Sequence, residues 1–185
     1  MKNKIQNLTK DEIKSGVIWI TGLAGAGKTT FASELYKHLK QKHNNVILLD
    51  GDVFRSIFGE SEYDIASRIK VGYKYNALAK FLEENGLLVI LAAIGLFDEI
   101  HTLNVANFNH YFQVYIKCDF DEIVRRDKKG LYSGAMSGKI KNVVGVDIAY
   151  DEPKAHLVIE NSKMDNLEQK LALLFSEVDK FLGCI

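Results

Sequence analysis

The stretch GLAGAGKT at residues 22–29 constrains the fold of this chain more than any other feature. It matches the phosphate-binding pattern G-x-x-x-x-G-K-[ST] at every fixed position. Gly22 and Gly27 permit backbone angles and a close approach that a Cβ atom would forbid. Successive backbone amides can then form a nest for phosphate oxygens, and the helix that follows adds the positive end of its dipole. The stretch therefore predicts a site for the phosphates of a nucleotide.

Side chains within this phosphate loop have separate predicted roles. Lys28 supplies a mobile positive charge for the β- and γ-phosphates, and the Thr29 hydroxyl is a candidate ligand of Mg²⁺. The motif leaves ATP and GTP open as the nucleotide. The residues predicted to contact it are Gly22, Ala24, Gly25, Ala26, Gly27, Lys28, Thr29 and Thr30.

The sequence on both sides of the loop fits this prediction. Residues 17–21 form a short apolar run typical of a buried strand, and Phe31, Leu35 and Leu39 fall on one face of a predicted helix. A glycine-rich surface turn is the alternative, but the motif requires a strand, a loop and a helix in that order. The chain provides this order.

Strands alternate with helices along the rest of the chain. Further strands are predicted at 46–49, 87–93, 112–116 and 157–159, and further helices at 53–59, 64–85, 96–106, 121–127 and 164–182, with a capping box at 9–12. This alternation predicts an α/β fold of the P-loop NTPase type, a parallel sheet flanked by helices. A chain of 185 residues suits one domain spanning 1–185. Residues 128–154 have no clear period, and a segment of this kind is usually functional or disordered.

Composition excludes several classes of partner. Twenty-four Lys and Arg residues balance 24 Asp and Glu residues, which predicts no nucleic acid and no anionic membrane as a partner. Cys118 and Cys184 are far apart, without metal-ligand spacing or a disulfide framework. Residues 1–7 lack the apolar core of a signal peptide, and no apolar run approaches the roughly 18 residues of a membrane span. We therefore expect a cytoplasmic protein with reduced thiols.

A nucleotide site alone does not distinguish a kinase from a GTPase switch or a motor. A switch GTPase carries a guanine-reading N-K-x-D motif after a later strand, and this sequence has none there. Instead, Asp50 and Asp52 follow the second predicted strand, where a small kinase holds its phosphate acceptor. A carboxylate at that position can accept the proton of the acceptor hydroxyl or hold Mg²⁺-bound water. On spacing alone, a solvated acidic turn is the alternative.

Five strings of sequence resemble the adenylylsulfate (APS) kinases. GLAGAGKTT, LLDGDVFR, RRDKKGLY, AMSGKIKNVVGVD and YDEP follow in the order and at the spacing of that family, over about residues 14–160. APS kinases move the γ-phosphoryl group of ATP to the ribose 3′-hydroxyl of APS. The resemblance implies a nucleoside-monophosphate-kinase-like P-loop fold, with ATP and Mg²⁺ as cofactors and a small nucleotide as acceptor. It also implies a lid, about residues 128–150, that closes over both nucleotides and excludes water.

Residue roles follow from the resemblance where this sequence matches the family. Asp52 is the candidate base, and Asp50 and Thr29 are the candidate Mg²⁺ ligands. The assignment of Asp50 and Asp52 to these two roles could also be the reverse. Lys28 keeps its catalytic role, and Arg126 joins the nucleotide-binding residues. The residues expected to bind the acceptor are Asp52, Arg55, Tyr63, Arg68, Ile94, Gly95, Lys129, Gly130, Leu131, Tyr132 and Lys141. A homodimer is a further expectation.

Departures from the family pattern concentrate where the acceptor binds. The family's D-G-D-N-[VI]-R is DGDVFR at 50–55, E-N-I-R-R is KVGYK at 70–74, and I-S-P-Y-R is IGLFD at 94–98. Of two aromatic residues that sandwich the adenine of APS, Tyr63 matches one and Val143 replaces the other. This pattern resembles the APS-kinase-like enzymes that phosphorylate cytidine diphosphoramidate in capsule phosphoramidate pathways. APS itself is the alternative acceptor. The alternative from another functional class is a non-catalytic P-loop regulatory protein.

Overall fold

Five parallel strands form the centre of the structure, a computed structural model that describes residues 13–163 and 165–183. Their order across the sheet is β2-β3-β1-β4-β5. The strands are β1 Gly16–Thr21, β2 Val46–Asp50, β3 Leu88–Ala92, β4 Tyr111–Lys117 and β5 Leu157–Glu160. The capping box predicted at 9–12 and Cys184 lie outside the described residues.

Strand β1 lies at the middle of the sheet. Its Ile18 aligns with Ile90 of β3 and with Phe112 of β4. All the residues of β1 and β3 are buried. Parallel strands that are covered on both faces read as continuous apolar runs, which is why both strands were predictable.

Helices flank the sheet, which confirms the predicted fold class. Helix α1 packs against α7, and α3 packs against α4. The helices are α1 Lys28–Lys42, α2 Gly51–Ile57, α3 Ile65–Glu84, α4 Asp98–Asn107, α5 Phe120–Arg126, α6 Leu131–Met136 and α7 Leu167–Phe181. In the described part of the chain, no helix combines the length and apolar character needed to cross a membrane.

Two differences from the sequence prediction affect segments near the predicted site. Helix α2 begins at Gly51 rather than at 53, because the Asp50 side chain caps its first turn. The segment predicted without a pattern contains a 3₁₀ turn at Lys128–Gly130 and the short helix α6. Asp127 caps this helix by accepting hydrogen bonds from the backbone N–H of Tyr132 at 2.7 Å and of Ser133 at 3.3 Å.

Candidate active site

One cavity of about 560 Å³ lies at the carboxyl ends of the strands. Open parallel sheets bind their ligands at this edge. Five parts of the chain line the cavity: the phosphate loop, the start of α2, the segment around the start of α3, the end of β3 with the residues after it, and the segment predicted to be a lid. The lining residues are Ala24, Gly25, Gly27, Lys28, Thr29, Thr30, Asp50, Asp52, Tyr63, Arg68, Ala92, Ala93, Ile94, Lys129, Leu131, Tyr132, Ile140, Lys141, Asn142 and Val143.

The phosphate loop has the backbone conformation that its glycines predict. Gly22 and Gly27 have φ angles of 151° and 110°, a region that side chains with a Cβ rarely adopt. A Cβ atom at Gly22 would lie 2.5 Å from the carbonyl oxygen of Ile116, so the loop also needs glycine there for space. Gly27 is the residue before α1, and the amino end of that helix opens on the cavity.

Lys28 is held inside the loop. Its Nζ donates a hydrogen bond to the carbonyl oxygen of Leu23 at 2.9 Å. Burial lowers the pKa of Lys28 to about 8, and the negative charges of Asp52 and Asp50 act in the opposite direction. A further negative charge near Lys28 would therefore raise its pKa and favour the charged ammonium form.

Asp50 and Asp52 occupy different environments although only one residue separates them. The Asp50 Oδ1 accepts hydrogen bonds from the backbone N–H of Asp52 at 2.9 Å and of Val53 at 3.4 Å. Its Oδ2 accepts the hydroxyl of Thr29 at 3.3 Å. Within the described residues, the exposed carboxylate of Asp52 accepts no hydrogen bond. The arrangement leaves Asp50 fixed and Asp52 available to a ligand.

The Thr29 hydroxyl and the Asp50 carboxylate are the candidate ligands of a metal ion. No cluster of three or more His, Cys, Asp or Glu side chains occurs in the parts of the chain that the structure describes. Kinase Mg²⁺ ions are typically held by one or two carboxylates together with substrate phosphates and waters. Thr29 and Asp50 fit that mode of binding because their oxygens already face each other.

On the far side of the cavity, two arginines lie close to the half-exposed ring of Tyr63. The guanidinium carbon of Arg55 lies 4.3 Å from the centre of the Tyr63 ring, and that of Arg68 lies 5.3 Å from it. Arg68 also donates hydrogen bonds to the carbonyl oxygens of Tyr63 and Asn142, both at 2.7 Å. Arg55, predicted to clamp the substrate, is buried, donates to the Glu62 carbonyl and does not line the cavity.

The predicted lid packs against the rest of the site. The Asp147 carboxylate accepts hydrogen bonds from the backbone N–H of Asn142 at 2.7 Å and of Val143 at 2.6 Å. Val143 is 3% exposed. The Tyr132 hydroxyl donates to the carbonyl oxygen of Ala24 at 3.1 Å. The lid segment thus contacts the phosphate loop at one end and α3 at the other.

Most of the predicted site residues surround this cavity, and some do not. Beside Arg55, the predicted residues that do not line the cavity are Gly22, Ala26, Gly95, Gly130 and Arg126. A Cβ atom at Gly95 would lie 3.2 Å from the Trp19 ring, so this glycine faces the core. The sequence did not single out Asn142, which lines the cavity with a positive φ of 64°. The sequence signal that could have indicated Asn142 is its position next to Lys141, a residue predicted to bind the acceptor.

Comparison with known proteins identifies the family. A family model described as adenylylsulphate kinase matches residues 14–160. The chain belongs to the adenylylsulfate kinase family. The family predicted from the sequence is therefore confirmed, and with it the predicted enzyme class, a phosphotransferase.

Family relatives of known sequence and structure cover nearly the whole chain. A cytidine diphosphoramidate kinase of Campylobacter jejuni subsp. jejuni serotype O:2 is 47% identical over 88% of this chain and 95% of its own length. An adenylyl-sulfate kinase of Pseudomonas aeruginosa is 35% identical over 98% of this chain and 93% of its own. The Mycobacterium tuberculosis APS kinase CysC, in complex with AMPPNP and APS, has a TM-score of 0.79 and 27% identity. That likeness covers 92% of this chain and 99% of CysC.

Proposed function

We propose that this chain is an ATP-dependent kinase that transfers the γ-phosphoryl group to the ribose 3′-hydroxyl of an activated nucleotide, with cytidine diphosphoramidate as the preferred acceptor. The observation that carries the proposal is the shared cavity, in which the phosphate loop, the exposed carboxylate of Asp52 and the half-exposed ring of Tyr63 meet. Phosphoryl transfer requires the donor phosphates and the acceptor hydroxyl to meet in one site, and this cavity joins the residues proposed to bind each of them.

The donor is ATP, and its phosphates bind the backbone amides of the loop together with Lys28. The complex of the M. tuberculosis relative with AMPPNP supports this choice. Mg²⁺ supplies, when bound, a positive charge that stabilises the β- and γ-phosphate oxygens. Thr29 and Asp50 are the residues that would hold it. The Lys28 charge acts on the same oxygens as negative charge builds up on them during transfer.

Asp52 is the proposed general base. Its carboxylate accepts the proton of the acceptor 3′-hydroxyl as that oxygen forms a bond to the γ-phosphorus, and ADP leaves with the electron pair of the broken bond. Asp50 is less suited to this role because both of its oxygens already accept hydrogen bonds. The different hydrogen bonding of the two carboxylates thus supports one assignment of the roles that the sequence left interchangeable.

The acceptor side of the cavity fits a small base. Tyr63 offers one aromatic face, while Val143, Ala92 and Ala93 present small apolar side chains. A pyrimidine needs less stacking surface than a purine. The 47% identity to a cytidine diphosphoramidate kinase supports the same acceptor. APS is the second candidate, because family members that carry its name match nearly the whole chain.

Other predictions accompany this function. We expect one kinase domain over residues 1–185, with a lid at about 128–150. We further expect a cytoplasmic location, no nucleic-acid or membrane partner, and a homodimer.

Coupled assays of ADP release test the proposal. The purified protein is supplied with ATP and Mg²⁺ and, in parallel, with cytidine diphosphoramidate or APS. We expect release that depends on the acceptor, with a kcat/KM at least about tenfold higher for the cytidine compound. The Lys28→Ala variant, prepared identically, controls for contaminating kinases. If neither acceptor stimulates ADP release, a non-catalytic P-loop regulatory protein becomes the better account.

A further inference from the structure

Three consecutive carbonyl oxygens of the phosphate loop accept hydrogen bonds from side chains outside the loop. The Tyr132 hydroxyl donates to Ala24 at 3.1 Å, and an Arg126 guanidinium nitrogen donates to Gly25 at 3.3 Å. The Asn161 Nδ2 donates to Ala26 at 2.7 Å. We call Tyr132, Arg126 and Asn161 the carbonyl clamp. Its members come from α6, from α5 and from the residue that follows β5.

The clamp determines which way the loop amides point. In a trans peptide, the carbonyl oxygen and the following N–H point in opposite directions. The hydrogen bonds to Ala24 and Ala26 therefore turn the N–H groups of Gly25 and Gly27 away from the clamp, and both glycines line the cavity. The N–H of Ala26 instead donates to the Leu23 carbonyl at 3.1 Å, which closes the turn within the loop.

Asn161 is held by hydrogen bonds of both its backbone and its side chain. Its backbone N–H donates to the Lys117 carbonyl at 2.7 Å, which continues the β4–β5 pairing. Its side-chain Oδ1 accepts a hydrogen bond from the Lys170 Nζ at 3.2 Å. A lysine ammonium has only donors, so this contact leaves the amide nitrogen facing Ala26. Lys170 is itself anchored to the Lys163 carbonyl at 2.6 Å.

The surroundings of Asn161 exclude direct contact with the cavity. The residue is 9% exposed and does not line the cavity. A Cβ atom at Gly27 would lie 2.8 Å from the Asn161 Nδ2, so the amide packs directly against the loop backbone. Arg126 also holds Asn161 in place, because its Nη2 donates a hydrogen bond to the Asn161 carbonyl oxygen at 2.6 Å. The observed contacts of Asn161 with the donor site therefore run through the loop backbone.

We propose that Asn161, oriented by Lys170, is a positioning residue for the donor phosphates: it holds the Ala26 peptide so that the Gly27 N–H faces them. The proposal rests on the proposed function, since it takes the ligand of the loop to be a nucleoside triphosphate. Loss of one such hydrogen bond leaves the peptide free to rotate. This weakens phosphate binding by about three- to tenfold, the usual effect of a single hydrogen bond.

The test compares Asn161→Ala with a matched control, Asn45→Ala. Asn45 also donates its amide to backbone carbonyls, of Ile13 at 2.6 Å and Gly86 at 2.8 Å, but at the opposite end of the sheet. We measure the KM for ATP, the KM for the acceptor, the inhibition constant of inorganic tripolyphosphate, and Tm. Tripolyphosphate has no base, so it reports on the phosphate site alone.

For Asn161→Ala we expect the KM for ATP and the tripolyphosphate constant to rise by the same factor, about three- to tenfold, with the acceptor KM unchanged. Asn45→Ala should lower Tm and leave both constants as in the wild-type protein. Lys170→Met, which keeps Asn161 but removes its orienting partner, should raise both constants about two- to threefold. This second variant keeps the test decisive if Asn161→Ala does not fold.

Two results would overturn the proposal. One is a folded Asn161→Ala protein whose inhibition constant for tripolyphosphate is unchanged. If Asn161→Ala does not fold, an unchanged tripolyphosphate constant in a folded Lys170→Met protein has the same meaning. The other is a rise for ATP without a rise for tripolyphosphate, which would assign Asn161 to the base instead. If the wild-type protein binds neither ATP nor tripolyphosphate, the proposed function fails, and this outcome is distinct from a failure of the clamp alone.

Discussion

The two ends of the cavity are built in different ways. At the donor end, residues of one short loop, 22–30, line the cavity, and side chains from three other parts of the chain hold the loop carbonyls. At the acceptor end, the lining is made of side chains from separate segments, among them Tyr63, Arg68 and Val143. The first end keeps every fixed position of its motif, whereas the second departs from the family pattern.

This difference agrees with the proposed function, in which the chain keeps the reaction of its family and takes a different acceptor. A site made of backbone amides depends on glycines at special φ angles, so most substitutions there would destroy it. A pocket made of side chains can change its shape one residue at a time on the same fold. The predictions that follow use variants that should affect one end of the cavity and spare the other.

The largest expected effect is at the donor end. Lys28→Ala should lower turnover by roughly 10²–10³, because the lost charge mainly stabilises the oxygens of the phosphoryl group in transfer. Lys37→Ala on the exposed face of the same helix is the matched control and should turn over like the wild-type protein. Steady-state kinetics with saturating acceptor provide the measurement. Turnover of Lys28→Ala within about threefold of the wild-type value would contradict the assignment of this loop.

The next prediction distinguishes the role of Asp52 at the acceptor end from the role of Asp50 at the donor end. Asp52→Asn should lower kcat by about 100-fold with little change in the KM for ATP, because the amide cannot accept the hydroxyl proton. Asp50→Asn should instead raise the concentration of Mg²⁺ needed for half-maximal rate, because Asp50 pairs with Thr29. A larger loss of kcat in Asp50→Asn at saturating Mg²⁺ would reverse the two assignments.

A pH effect should also be confined to the donor end. Because burial lowers the pKa of Lys28 to about 8, the free protein loses this charge as the pH rises through 8. Binding of ATP above that pH then requires the uptake of a proton. The Kd for ATP should therefore rise by about tenfold per pH unit above 8, and the Kd for the acceptor should stay constant. Isothermal titration between pH 7 and pH 9.5 measures both.

The arginine variant controls for this pH effect. Lys28→Arg keeps its charge at every pH in that range, so its Kd for ATP should not vary. A wild-type protein whose Kd for ATP is as constant as that of Lys28→Arg would show that Lys28 does not titrate there.

The smallest expected effect is at the acceptor end. Val143→Phe should add a second aromatic side chain to the acceptor end and improve kcat/KM for APS about five- to tenfold, at the low end of the effect of one stacked base. The KM for ATP should not change. Val143→Leu is the control for added volume, since it enlarges the side chain without an aromatic face. Equal gains for the two variants would contradict a role for stacking.

Much of the fold could be predicted from the sequence, for physical reasons. The central strands are buried on both faces and therefore appear as apolar runs, and the phosphate loop has a local motif. Helix α6 was missed because it is only six residues long and contains Gly134, too short for a helical period to appear. The start of α2 was missed because the Asp50 cap depends on a side-chain hydrogen bond.

The candidate site was predictable where one segment makes it and less so where several segments meet. The loop residues form a local motif, and Asp50 directly follows an apolar strand. Asn161 has none, because its contact with Ala26 joins residues that are 135 positions apart in the chain. Arg55 was expected at the substrate but is buried beneath Tyr63, and no local pattern distinguishes these two positions.

The most direct test of the account is a competition between the two acceptors. The wild-type protein is incubated with ATP, Mg²⁺ and equal concentrations of cytidine diphosphoramidate and APS, and the two 3′-phosphorylated products are quantified at low conversion. The account predicts that the cytidine product forms at least about ten times faster, a difference of ~1.4 kcal/mol in transition-state binding. Faster formation of the APS product would contradict the account and would identify an APS kinase with a divergent acceptor pocket.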